Sequence, residues 1–178
     1  MGSPVTFDEV DRQFHLLRSE PQKFLALTDE LVRQRPDDAR AYFSRHWAWV
    51  YLNRPDLALA DLDKSIALAE SFTAHEARGD ILHGMGRYHE AIAAFDRSEA
   101  IESDAWRDGF GPLFRADCHA RLGDEAAALA DCATLPEDHW TPGMLGVPAG
   151  NREEVAATLR RLAAAARAGS SDAGRGRP

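Results

Sequence analysis

Three residues recur along this chain at fixed offsets, and that regularity restricts its fold more than any other feature. Arg45, Ala58 and Leu62 return 33 residues later as Arg78, Ala91 and Phe95. They return again 37 residues further on as Arg115, Ala128 and Cys132. A period of this length is that of a helical hairpin stacked on the next one. The small residue belongs where the two helices of a hairpin cross closely. The larger residue four positions later lies one turn along the same face and fills the adjoining gap.

Each copy also carries a breaker between two apolar-periodic segments: Asn53-Arg54-Pro55, Gly84-Met85-Gly86 and Gly123-Asp124. Asn53 is expected to cap the following helix, with Pro55 in its first turn, where a missing N–H costs nothing. Gly123 is expected to close one helix in a left-handed conformation while Asp124 caps the next. Ala and Leu dominate the apolar residues of 57–69 and 156–168, and no run of alternating Val, Ile or Thr occurs, so no strands are predicted.

These residues resemble the tetratricopeptide repeat family, whose consensus reads Trp-x2-Leu-Gly-x2-Tyr, then Ala-x3-Phe, then Pro. The middle copy offers His75, Arg78-Gly79, Leu82, Gly86, Tyr88, Ala91 and Phe95. The first has Tyr42, Arg45, Trp49, Ala58 and Leu62, with His46 in a position the family keeps small. The third has Arg115-Ala116, Leu122-Gly123, Ala128 and Cys132, with Pro112 in the aromatic slot, so its first helix is expected to start late. The resemblance implies an all-α fold, a right-handed superhelix of antiparallel helix pairs (an α-solenoid) with about nine helices.

The expected organisation is a degenerate N-terminal helical pair over 5–36, then repeats at 37–70, 71–103 and 104–135. An irregular loop over 136–150, a capping helix over 151–168 and a disordered tail over 169–178 complete it. In the first pair Phe24 stands where Ala is expected, and Pro36 ends it. Asn151 and Glu154 have the spacing of a capping box at the start of the last helix, whose apolar stripe is Val155, Leu159, Leu162 and Ala166.

In this family the first helix of each pair lines the concave face. Carrying that spacing over nominates Phe43, Trp47 and Tyr51, then Glu76, Asp80 and His83, then Phe110, Phe114, Asp117 and Arg121 as partner-binding residues. The nominated surface is aromatic at one end and acidic in the middle, which suits a protein or peptide partner that is basic or anchored by aromatics. It lacks the Lys, Asn and Arg set with which one branch of the family grips C-terminal carboxylates. His139 and Trp140 in the irregular loop are a candidate lid over this face.

The chain is thus expected to be a non-enzymatic interaction module, a scaffold or adaptor. A dedicated neutraliser or chaperone of one basic partner is the alternative, and a metal-dependent enzyme using His and Cys is the less favoured one. Lys and Arg total 21 against 29 Asp and Glu, a net charge of −8, which disfavours nucleic acid. No apolar run long enough for a membrane span occurs, and two cysteines, Cys118 and Cys132, are too few for a disulfide framework. A cytoplasmic protein, monomeric or weakly self-associating, is expected. No metal or cofactor is expected either: His75-Glu76 and His89-Glu90 begin like a zinc-binding helix, but Gly79 and Ala93 occupy the second histidine position.

Overall fold

The computed structural model describes residues 4–138, 140, 141, 143 and 149–173. It comprises two compact units, residues 1–81 and 82–178, and the division falls inside helix α6 (Phe72–Gly84). Among the described residues there are eleven helices and two short strands. None of those helices is long and apolar enough to cross a membrane.

The first unit contains α1 (Phe7–Arg12), α2 (Leu16–Ser19), α3 (Pro21–Gln34), α4 (Ala39–Tyr51), α5 (Pro55–Leu68) and most of α6. Val10, Leu17, Phe24, Leu31, Ala41 and Ala48 form its first core cluster. Phe24, in the slot where the family has Ala, is fully buried and fills that core. The first helix of the N-terminal pair is interrupted around Phe14, between α1 and α2. Leu16 and Leu17 donate backbone hydrogen bonds three residues back, to Gln13 at 2.9 Å and Phe14 at 3.2 Å. The tightened turn keeps Val10 and Leu17 inside and leaves Phe14 46% exposed.

The second unit contains α7 (Tyr88–Ile101), α8 (Ser103–Asp108), α9 (Gly111–Arg121), α10 (Glu125–Thr134), strands β1 (Trp140–Thr141) and β2 (Gly150–Asn151), and α11 (Arg152–Ala173). The first helix of the third copy does start late, at Gly111 with Pro112 in its first turn. Ahead of it, α8 delivers Trp106 into the core, where it lies 5.5 Å from the Phe95 ring. Gly111 is required by that ring, since a Cβ there would fall 2.0 Å from Trp106 Cζ3. Eleven helices replace the expected nine because two first helices, in the N-terminal pair and the third copy, are each split in two.

The helix closures repeat as faithfully as the packing residues. Asn53, Gly86 and Gly123 have φ of 55°, 74° and 84° and stand at the same 33- and 37-residue offsets. After each, an amide reaches back five residues: Arg54 to Trp49 at 2.8 Å, Arg87 to Leu82 at 2.9 Å and Asp124 to His119 at 2.9 Å. This is the Schellman closure. Asn53 therefore ends α4 and does not cap α5, because its backbone is committed to the left-handed conformation. Asp124 does cap α10, accepting from the Ala127 amide at 3.0 Å.

Two further expectations are corrected. Strands do form within 136–150: Trp140 pairs with Asn151 and Thr141 with Gly150 in an antiparallel clip. The last helix also runs past residue 168 into the expected tail, reaching Ala173. Its start follows the expected capping box, with the Glu154 amide donating to Asn151 Oδ1 at 3.0 Å and the Asn151 amide to Glu154 Oε2 at 2.9 Å. Val155, Leu159 and Ala163 are its buried residues, while Leu162 and Ala166 are only half-buried. This stripe packs α11 against α9 and α10.

Candidate functional site

The recurring arginines are structural. Arg45 forms a bidentate pair with Asp61, Nε to Oδ2 at 2.8 Å and Nη2 to Oδ1 at 2.6 Å, and reaches Asp29 Oδ1 at 2.9 Å. Trp49 Nε1 donates to the same Asp61 carboxylate at 2.9 Å. In the second unit Arg115 repeats the pattern with Asp131 at 2.9 and 2.6 Å, and with Asp96 and Glu99 at 2.8 and 2.7 Å. The Asp61 hydrogen bonds hold the Arg45 guanidinium charged despite burial. Burial works against the Arg115 charge, and the bonds to Asp131 and Glu99 more than reverse it. The arginines stand out in the sequence by their spacing, whereas Asp61 and Asp131 were not singled out there. Their signal was present, an aspartate 16 residues after the arginine in the first and third copies, where the middle copy has Ala94.

In the first unit, Phe43 and Trp47 are half-buried on α4 and Tyr51 is 43% exposed. His46 is buried between the first two, 4.7 Å from the Phe43 ring and 4.6 Å from that of Trp47. Its Nδ1 donates to the Phe43 carbonyl, yet burial dominates and lowers its pKa to about 4, so the ring is neutral. Phe14 stands edge-on to Trp47 at 6.0 Å, and a cleft of about 240 Å³ lies among Phe14, Phe24, Phe43 and Trp47.

Glu76 and Asp80 stand one turn apart on α6. Burial raises the pKa of both, and the neighbouring Glu76 charge adds to the effect on Asp80, which reaches about 7. Asp80 Oδ1 is closed from solvent and accepts no hydrogen bond. Here two carboxylates face a low-dielectric surrounding with no guanidinium to match them.

In the second unit, His83, Phe114 and Asp117, expected on an open face, are buried at 4%, 4% and 0% exposure. His83 Nε2 lies 2.6 Å from Asp117 Oδ2, and Arg121 Nε donates to the same oxygen. The Phe114 ring stands 5.3 Å from His83, and Arg121 lies over the Tyr88 ring at 5.7 Å. The His83 Nε2–H donates to the carboxylate. His83 Nδ1 and Asp117 Oδ1 are both buried without a partner. Phe110 remains 42% exposed, and Arg121 is partly open. All three buried side-chain atoms without a hydrogen bond among the described residues thus belong to nominated positions: Asp80, His83 and Asp117.

Trp140 is 63% exposed in β1, while His139 lies outside the described residues. Cys118 and Cys132 are both buried, and burial raises the Cys132 pKa, the property of packing cysteines. Among the described residues no three His, Cys, Asp or Glu side chains gather as a metal site.

Helical pairs joined by left-handed closures, with small residues at their crossings, define an all-helical repeat protein. The particular fold is that of the tetratricopeptide-repeat proteins. No protein-family model matches the sequence, and no curated protein matches it. Among solved structures, MamA 41-end from Desulfovibrio magneticus RS-1 is similar at 16% identity, with a TM-score of 0.68 and coverage of 99% of both chains. YrrB, described as a TPR protein with an unusual peptide-binding site, is similar at 17% identity and a TM-score of 0.62, over 71% of this chain and 63% of its own. TTC0263, a thermophilic TPR protein in Thermus thermophilus, is similar at 19% identity and a TM-score of 0.57, over 89% of this chain and 77% of its own.

Proposed function

We propose that this chain is a non-enzymatic protein-interaction module that binds a basic, aromatic-anchored segment of a partner protein. The inner positions of its first helices would carry that segment. The Glu76 and Asp80 pair carries the reading: two carboxylates desolvated without a cation are costly to keep, and a ligand guanidinium or ammonium would offset that cost. Phe43, Trp47 and Tyr51 supply aromatic anchors in the unit that holds this pair. YrrB, with its peptide-binding site, supports a peptide or protein as the partner class.

The test uses a labelled peptide containing arginines and a tryptophan, followed by fluorescence anisotropy at low and high salt. Replacing Glu76→Gln and Asp80→Asn together is expected to weaken binding by at least about tenfold. Asp63→Asn is the control, because Asp63 is 58% exposed and already engaged by Arg78 at 2.7 Å. If the double variant binds the peptide as well as the unaltered protein, this reading fails.

A further inference from the structure

A cleft of about 410 Å³ opens between α10 and α11 in the second unit, lined by Leu129, Cys132, Ala133, Arg152, Glu153, Ala156 and Arg160. We propose that it is a second docking surface, which takes an acidic segment with an aliphatic side chain between its carboxylates. Such a surface gives the chain two docking sites for partners of opposite charge and is at odds with a dedicated neutraliser of one basic partner.

The cleft follows from spacing. Arg152, Ala156 and Arg160 stand four residues apart along one stripe of α11, so the two arginines bracket a gap about 12 Å long. Ala156 and Ala133 are too short to fill the gap, and Leu129 with the buried Cys132 gives it an apolar wall. The charge of its occupant is set by the arginines. In a protein of net charge −8, Arg160 is exposed and makes no hydrogen bond or ion pair among the described residues. Arg152 is held in place by the bond from its Nη1 to the Leu135 carbonyl at 3.0 Å. Its Nη2 holds Glu137, a carboxylate 90% exposed, at the long distance of 3.4 Å. A carboxylate thus already approaches this guanidinium from the solvent side, and one carried by a partner would exchange with it readily. Once Glu137 gives way to a partner carboxylate, the two arginines outnumber the single lining carboxylate of Glu153, which disfavours a basic occupant.

The experiment uses the full chain and two labelled helix-forming peptides, one with Glu eight positions apart and Leu between them, the other with Gln in place of Glu. The Glu peptide is expected to bind at least about tenfold more tightly than the Gln peptide. Arg160→Glu and, separately, Ala156→Phe are expected to remove that difference, with thermal melts confirming that both variants fold. Equal binding of the Glu and Gln peptides overturns the proposal, as does an affinity for the Glu peptide that Arg160→Glu leaves unchanged. Neither result bears on Glu76 and Asp80, whose test uses other variants and another ligand.

Discussion

Asp61 and Asp80 belong to the same unit and are both drawn largely out of water, but they differ in what meets them. Asp61 receives two bonds from Arg45 and one from Trp49. Asp80 has an Oδ1 with no donor, and Glu76 acts on it with charge of the same sign. The first arrangement is complete within the chain and ties α4 to α5. The second is incomplete, and its pKa of about 7 measures the cost of leaving it so. A repeat fold thus uses buried acids in two ways. Those supplied with an intramolecular arginine hold helices together, and one left without is where an outside cation gains most.

The comparison breaks most directly if removing the partner of one acid and neutralising the other move stability in the same direction. Arg45→Ala and Arg115→Ala each strand a buried aspartate and are expected to cost about 3–5 kcal/mol by chemical denaturation. Asp80→Asn is expected to do the reverse above neutral pH. Because the folded pKa of Asp80 lies above its unfolded value of 3.8, the stability it contributes is complete below about pH 4 and is lost as pH rises through 7. The loss is on the order of 4 kcal/mol, and Asp80→Asn should restore it. His46 runs the opposite way, since its folded pKa of about 4 lies below the unfolded 6.5. Its contribution is present above pH 6.5 and lost as pH falls toward 4, on the order of 3 kcal/mol. The two slopes oppose each other in the unaltered protein. Urea midpoints across pH 4 to 8 should therefore rise with pH in Asp80→Asn and fall with pH in His46→Gln; unaltered slopes in both variants would remove the basis of the comparison. The smallest effect belongs to Arg78→Ala. Its partner Asp63 is mostly in water, so the loss should stay under about 1 kcal/mol, and a larger value would show the middle copy depending on its arginine as the outer two do.

Much of the fold was legible because local rules and the repeat offsets agreed. Ala58 and Ala128 are fully buried where α5 packs on α4 and α10 on α9, Ala91 is buried on α7, Pro112 delays α9, and Asn151 with Glu154 starts α11. The left-handed role of Asn53 was also within reach, since Gly86 and Gly123 stand at the matching offsets. The break at Phe14 and the descent of Trp106 onto Gly111 were not, because each depends on which ring finds space among helices distant in sequence. For the candidate site, helical spacing placed Glu76 and Asp80 on one face of α6, and nothing in that spacing distinguishes a solvated pair from a desolvated one.

The sequence by itself determined the repeat offsets and most of the helices, because those follow from spacing, small residues and backbone preference within a few turns. Tertiary structure alone decided the environment of each charge. Arg45 and Arg115 gained their acids, Asp80 did not, and His83 with Asp117 was closed off from the surface that spacing assigned to it. Desolvation is set by every atom packed around a group, and that sum exists only once the helices have met.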